Sequence, residues 1–121
     1  MIVAVRGRPA LLVCALLAAA AGACGSPPGA SCPEDYPKTC PTPEPTFSGQ
    51  AQAILQSYCQ ACHEVGGLNR ALTTWAQINA DLADVVVRVK SCNMPPAGAP
   101  VPTTEERATL QGWFRCGALD N

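Results

Sequence analysis

The sequence predicts an all-α domain of three to four helices, and three observations support this prediction. Apolar residues recur at helical spacing in three separate windows between residues 47 and 121. A dense group of prolines precedes these windows and is incompatible with helix or central strand. The first 23 residues have the features of an export signal, which leaves a mature chain of 98 residues, enough for one small domain.

Residues 1–23 are interpreted as a signal peptide. Arginines near the start supply positive charge, residues 10–21 are almost wholly apolar but too short to span a bilayer, and three small residues follow. These small residues and Cys24 resemble a bacterial lipobox, although alanine stands where leucine is usual, and they also fit ordinary signal-peptidase cleavage. We expect lipidation at Cys24. Because Gly25 is not the aspartate that resembles an inner-membrane retention signal, we expect a periplasmic protein anchored to the outer membrane.

Residues 24–46 are predicted to form a proline-rich tether between this anchor and the domain, which is placed at residues 47–121. Seven prolines fall between residues 25 and 46, a composition typical of an extended, semi-rigid spacer. Removal of the signal leaves six basic residues against nine acidic ones, a formal charge near −3. This balance argues against nucleic acid as a partner.

The first helix of the domain is expected to begin after Ser48, a residue type that often caps helices. Its inward-directed positions follow the stripe of one helix face and comprise Ile54, Leu55, Tyr58, Cys59 and Cys62. Gly66 and Gly67 are expected to end the helix and to allow a tight turn. The cysteine motif is therefore expected at a helix C-terminus.

Two further windows predict the remaining helices. Helical spacing continues in the apolar residues Leu72, Trp75, Ile78, Leu82, Val85, Val86 and Val89. We expect two helices here, divided near Asn79, whose side chain can cap the second. The final helix is expected to open with a capping box of Thr103 and Glu106, and its apolar face consists of Leu110, Trp113 and Phe114.

One motif points to specific chemistry, the run Cys59-Gln60-Ala61-Cys62-His63. The spacing C-x-x-C-H is the signature of covalent haem attachment. One turn of chain can present both sulfurs to the two vinyl groups of a single porphyrin, and the following residue can place its imidazole under the iron. We therefore predict one haem c, with thioether bonds to Cys59 and Cys62 and with His63 as an axial ligand of the iron.

Other interpretations of the motif stay open at this point. A thioredoxin-like redox pair belongs in a βαβ context, and no strand is expected before Cys59. A zinc site would need a fourth ligand, which Cys92 or Cys116 could supply, but it would leave an unpaired cysteine in an exported protein. A plain disulfide within the motif is the third alternative.

The inventory of iron ligands is short. His63 is the only histidine, so a second histidine ligand from the same chain is excluded. Met94 is the only methionine after the signal, and it lies in a loop stiffened by Pro95 and Pro96. A lone methionine is normally core filler, but together with the motif we predict Met94 as the sixth ligand, with Lys90 as the alternative. The sequence does not identify the carbonyl that should accept the His63 ring N–H.

The motif CQACH and the later segment NMPPAGAPVPTTEERATLQGWFRCGA resemble the small class I cytochrome c domains carried by bacterial lipoproteins, notably those of myxobacteria. The resemblance covers residues 47–118. It implies the helical cytochrome c fold, in which the first and last helices cross and the haem edge stays partly exposed, with His63 as proximal and Met94 as distal ligand. The 31-residue separation of these two ligands is short for the class and leaves room for little beyond the two middle helices.

Four further cysteines, Cys32, Cys40, Cys92 and Cys116, are expected to form two disulfides, because exported proteins keep their thiols paired. We predict a Cys92–Cys116 bridge, since Cys92 lies close to Met94 in sequence and the resemblance places the last helix near the haem. A disulfide between Cys32 and Cys40 would then close part of the tether into a small loop. Pairing of Cys32 with Cys92 or Cys116 is the alternative, and it would fold the tether back onto the domain.

The predicted function is one-electron transfer to and from redox partner proteins. Because histidine and methionine together leave no open position on the iron, no enzyme activity is expected. Trp75 and Trp113 are candidates for packing against the haem, with ordinary core packing as the alternative. Two rival functions are a haem-based sensor or ligand-binding module with a labile sixth site, and a structural anchor module without haem.

Overall fold

The structure is a computed structural model that describes residues 32–121. Within this range it contains no strand and has four α-helices, which are α1 (Gln52–Tyr58), α2 (Trp75–Ala80), α3 (Leu82–Lys90) and α4 (Thr104–Arg115). A π-helical turn (Phe47–Ala51) runs directly into α1. The prediction of an all-α domain is confirmed. The interpreted signal peptide and Cys24 lie outside the described residues.

The first helical segment begins and ends earlier than expected. Thr46, not Ser48, is the N-cap, and its hydroxyl accepts a hydrogen bond from the backbone N–H of Gly49 at 3.1 Å. The Ser48 hydroxyl instead donates to the backbone carbonyl of Asn121 at 2.9 Å, which joins this segment to the last residue of the chain. Helix α1 ends at Tyr58, directly before the cysteine motif. The motif therefore lies at the C-terminal end of the helix, as predicted, but it follows the last helical turn, whereas Cys59 and Cys62 were expected on the helix face and the glycines at its end.

The middle helices divide at Asp81, two residues later than predicted, and the expected cap by Asn79 is absent. The valine run at residues 85–87 is helical, as the longer periodicity indicates, with Val85 buried and Val87 exposed. Helix α4 opens with the capping box of Thr103 and Glu106, which confirms that prediction. None of the helices between residues 32 and 121 combines the length and apolarity needed to cross a bilayer.

The core lies where the π-helical turn and α3 pack against α4, with α2 against α3. Trp113 is fully buried, and its ring centroid lies 5.5 Å from that of Phe47. The buried apolar residues are Phe47, Ala51, Ile54, Leu55, Leu72, Ile78, Val85, Val89, Leu110, Trp113, Phe114 and Ala118. The sequence windows with helical spacing supply most of this set, as amphipathic helices require.

The described part of the proline-rich segment, residues 32–46, packs along the domain. Its cysteines form the bridges Cys32–Cys92 and Cys40–Cys116. The predicted pairings Cys92–Cys116 and Cys32–Cys40 are wrong. These residues therefore belong to the folded domain and do not form a free spacer, while residues 24–31 lie outside the described part.

The separation of Cys92 and Cys116 along α4 explains why these two cysteines do not pair with each other. The end of α3 lies beside Arg107, near the start of α4, where the Arg107 guanidinium donates to the Val89 carbonyl at 2.8 Å. Cys116 follows nine residues later, about 13 Å further along the helix axis. A disulfide requires Cα atoms within about 7 Å, so Cys92 and Cys116 are too far apart, and the extended N-terminal segment bridges to each of them in turn.

Candidate functional site

A cavity of about 620 Å³ opens between α3 and the loops that follow α1 and precede α4. Its volume lies within the range of roughly 300–1,000 Å³ that is common for ligand pockets. The wall includes all four predicted ligand-binding residues, Cys59, Cys62, His63 and Met94. Buried apolar side chains complete its interior, and these are Ile54, Leu72, Val85, Val89 and Leu110. The fold thus brings together residues that are up to 35 positions apart in the sequence.

The cysteine motif forms a tight turn at the end of α1. The backbone N–H groups of Cys59 and Gln60 both donate to the Leu55 carbonyl, at 2.9 and 3.2 Å, and the N–H of His63 donates back to the Cys59 carbonyl at 3.0 Å. Cys59 and Cys62 lie outside both disulfides. Burial raises the pKa of the Cys59 thiol to about 11, so this thiol stays protonated at neutral pH.

His63 is oriented by a backbone carbonyl. Its ring Nδ1 lies 2.7 Å from the carbonyl oxygen of Arg70. A carbonyl oxygen only accepts hydrogen bonds, so Nδ1 carries a ring proton, and in the neutral imidazole Nε2 then keeps a lone pair for a metal. This is the carbonyl that the sequence did not identify. No sequence signal could have shown it, because the contact uses the main chain at position 70 and any residue type offers the same atom.

The loop that supplies this carbonyl is itself closed by hydrogen bonds. The backbone N–H of Leu72 donates to the His63 carbonyl at 2.9 Å, and the Asn69 side-chain amide donates to the Cys62 carbonyl at 3.0 Å. The Arg70 side chain pairs with Asp81 at the start of α3. These contacts tie the loop to both the motif and the middle helices, so the orientation of His63 is set by several elements at once.

Charged side chains stand at the rim of the cavity. Arg70 and Asp81 form one ion pair there, and Arg88 and Asp84 form a second, with 2.8 Å between Nε and Oδ2. Both arginine side chains are half or more exposed. The cavity wall is therefore mostly apolar, with these ion pairs exposed to solvent and with the buried side chain of Arg107 as a further charged group.

Met94 lies in the cavity wall together with Pro95 and Pro96. Its backbone N–H donates to the Arg88 carbonyl in the last turn of α3 at 3.2 Å. Lys90, the alternative ligand, is not part of the wall, and its Nζ lies 4.5 Å from the ring centroid of Tyr36 in the N-terminal segment. Of these two candidates, only Met94 is placed to reach a ligand in the cavity.

Trp75 and Trp113 belong to the core and do not line the cavity. The indole N–H of Trp75 donates to the Ala118 carbonyl at 2.8 Å, and that of Trp113 donates to the Leu119 carbonyl at 3.0 Å. Both rings therefore stabilise the C-terminal segment, in agreement with the alternative of core packing, and neither lies in the wall of the cavity where the haem ligands are predicted.

A contact that the sequence did not reveal joins the motif to α4. The Tyr58 hydroxyl donates to Glu106 Oε2 at 2.9 Å, and the same oxygen accepts the backbone N–H of Thr103 at 2.9 Å. Two hydrogen bonds hold the pKa of Glu106 below its usual range, and the larger contribution comes from the Thr103 N–H and the next from the Tyr58 hydroxyl. The hydrogen bond to Glu106 in turn raises the pKa of Tyr58. The residue directly before the motif is thus anchored to the start of the last helix.

A second cluster of potential metal ligands lies elsewhere, where Cys40, Glu44 and Cys116 offer atoms within 4.8 Å of one another. Two of these three are joined in a disulfide. A disulfide sulfur is not the thiolate that binds metals, so this cluster is not a metal site in the oxidised protein.

Searches against protein families, curated proteins and solved structures find no match to this chain. Its function is therefore inferred from its own residues and their geometry.

Proposed function

We propose that this chain is a c-type cytochrome, located in the periplasm and anchored to the outer membrane by a lipid on Cys24. It carries single electrons between redox partner proteins through one haem, which is bound covalently by Cys59 and Cys62 and ligated by His63 and Met94. When bound, the haem supplies Fe(III)/Fe(II) cycling. The observation that supports this most strongly is the meeting of these four residues in the wall of one apolar cavity.

The residues of the cavity fit a haem in several respects. The ring of His63 has its Nδ1 proton bonded to a carbonyl, which is the second contact that metal-ligating histidines usually make. The motif forms one turn of chain, as attachment of two sulfurs to one porphyrin requires. Apolar walls suit the macrocycle, and the rim arginines Arg70 and Arg88 suit its propionates.

The arrangement of helices supports the proposal of a cytochrome c fold. The π-helical turn that leads into α1 packs against α4, so the first and last helical segments are in contact. Between His63 and Met94 the chain forms α2 and α3 and no other helix. This agrees with the short spacing of the two ligands.

The rival interpretations of the motif have less support. A thioredoxin-like pair depends on a lowered thiol pKa, whereas burial raises the pKa of Cys59, and the described residues contain no strand. A zinc site would take its fourth ligand from Cys92 or Cys116, and both are in disulfides.

Covalent haem attachment is the test of the proposal. The protein should be expressed with its signal in a host that matures c-type cytochromes, and then stained for haem after denaturing electrophoresis. We expect the wild type to stain and the Cys59→Ser/Cys62→Ser variant to lose the stain. The Cys40→Ser/Cys116→Ser variant is the matched control, because it also removes two cysteines but neither lines the cavity, and it should stain normally.

Two outcomes would favour one of the two rival functions. Wild-type protein that is exported without covalent haem would contradict the proposal and favour a structural anchor module. Covalent haem with a five-coordinate ferrous spectrum and rapid carbon monoxide binding would favour a sensor or ligand-binding module.

A further inference from the structure

The loop that carries Met94 starts at the C-terminus of α3, where backbone carbonyls have no partner within the helix. Arg107 of α4 occupies this position, donating to the Val89 carbonyl at 2.8 Å and to the Lys90 carbonyl at 3.4 Å. One residue before Val89, the Arg88 carbonyl accepts the backbone N–H of Met94. The placement of the methionine therefore depends on how firmly the end of α3 is held.

Arg107 is in turn held by the N-terminal segment. Its side chain is only 13% exposed, and a charge buried to this extent needs a partner. Asp35 is that partner, with its two carboxylate oxygens 2.7 Å from Nε and 3.1 Å from Nη2. The buried side chain of Gln111 also donates to Asp35, at 3.1 Å. The orientation of the guanidinium is thus set by a residue of the proline-rich segment.

The same segment is also bonded covalently to the Met94 loop. Cys32 forms its disulfide with Cys92, which is two residues before Met94. Cys92 has a φ of +56°, a left-handed conformation that is unfavourable for a residue with a side chain. Such a conformation persists where the surroundings hold it, and the bridge and the end of α3 are those surroundings.

We propose that Asp35, Arg107 and the Cys32–Cys92 bridge are positioning elements for Met94, so that the N-terminal segment controls how readily the sixth position on the iron opens. This inference rests on the proposed function. Without the Asp35 or Cys32 contact, Met94 would be held less firmly at its place in the cavity wall, and an external ligand would bind to the iron of a bound haem more readily. The segment that leads from the anchor is therefore also part of the ligand site.

Imidazole is a suitable probe of the sixth position. It should be titrated into the ferric form of the wild type, Asp35→Asn, Cys32→Ser/Cys92→Ser and Cys40→Ser/Cys116→Ser. We expect Asp35→Asn and Cys32→Ser/Cys92→Ser to bind imidazole about tenfold or more tightly than the wild type. This is the size of effect typical of residues that hold a metal ligand in place without touching the metal. The Cys40→Ser/Cys116→Ser control should bind as the wild type does, and Asp35→Glu, which keeps the carboxylate, should restore most of the wild-type behaviour. Equal affinities in all the variants would overturn the inference.

A second measurement separates this inference from the proposed function. Haem staining of the same samples shows whether the protein is a cytochrome at all. Hydrogen exchange at the amides of Asn93 and Met94 needs no haem, and we expect it to be faster in Cys32→Ser/Cys92→Ser than in the Cys40→Ser/Cys116→Ser control. Equal exchange in the two variants would overturn the positioning role even if haem is absent.

Discussion

A Cβ atom on Gly112 would lie 2.9 Å from Cγ of Pro41 and 3.3 Å from Cγ of Pro45. Gly112 is buried and lies within α4, three residues before the helix ends. Glycine in a helix interior costs about 1 kcal/mol relative to alanine, so its presence here needs a reason. The close approach of the proline-rich segment to α4 supplies that reason, since any side chain would push the two proline rings away.

Gly112→Ala should therefore destabilise the domain even though alanine is the better helix former. Overpacking costs about 1–3 kcal/mol, and the gain in helix propensity of about 1 kcal/mol offsets only part of it. We expect a net loss of roughly 1 kcal/mol in the free energy of unfolding, measured with urea. In a Pro41→Ala background the same change should be closer to neutral, because the nearest ring atom is gone. A gain in stability from Gly112→Ala in the wild-type background would show that the segment does not press on α4.

The Asp35–Arg107 pair predicts a specific loss of stability in acid. The hydrogen bond from Arg107 is the main cause that holds the pKa of Asp35 below its usual range. A lowered pKa in the folded state contributes stability that is fully present above the unfolded-state pKa of about 4. That contribution is lost as the pH falls through the lower folded-state value.

The difference in unfolding free energy between the wild type and Asp35→Asn measures this contribution. We expect about 1.5–3 kcal/mol at pH 7, the range for hydrogen bonds to charged groups, and a smaller difference as the pH falls below about 4. Glu106 also has a lowered pKa, but it is present in both proteins and cancels in the comparison. A difference that stays constant down to pH 2 would contradict the assignment of this acid sensitivity to Asp35.

Met94→Ala should separate haem attachment from haem ligation. The proposed attachment through Cys59 and Cys62 does not involve Met94, so the variant should still stain for haem, while its reduction potential should fall and external ligands should bind. The ferric absorption spectrum checks this through the weak long-wavelength band of methionine-sulfur ligation. Lys90→Ala is the matched control and should keep the band, because Lys90 does not line the cavity. A band that survives in Met94→Ala would exclude Met94 as a ligand.

Cys24→Ser should release the protein from membranes, because acyl chains on Cys24 are the proposed anchor and the helices between residues 32 and 121 include none that could span a bilayer. Cell fractionation followed by immunoblotting checks this. Wild-type protein that is wholly soluble after fractionation would show that residue 24 is not lipidated and that the signal is cleaved in the ordinary way.

The sequence by itself determined the features that depend on neighbouring residues. Helical periodicity and the Thr103–Glu106 capping box act over three or four positions, so they can be read without a fold, and both are present in the structure. The spacing of the cysteine motif is equally local. The proposal of Met94 as an iron ligand also comes from the sequence, because the chain contains no other methionine after the interpreted signal.

Only the tertiary structure decided which distant atoms meet. The Cys32–Cys92 bridge joins residues 60 positions apart, and Asp35 is 72 positions from Arg107. Such contacts depend on which end of α4 faces the end of α3, and local propensity carries no information about that. The Arg70 carbonyl at His63 was hidden for a further reason, because every residue has a main-chain oxygen and only the course of the loop places this one beside the imidazole.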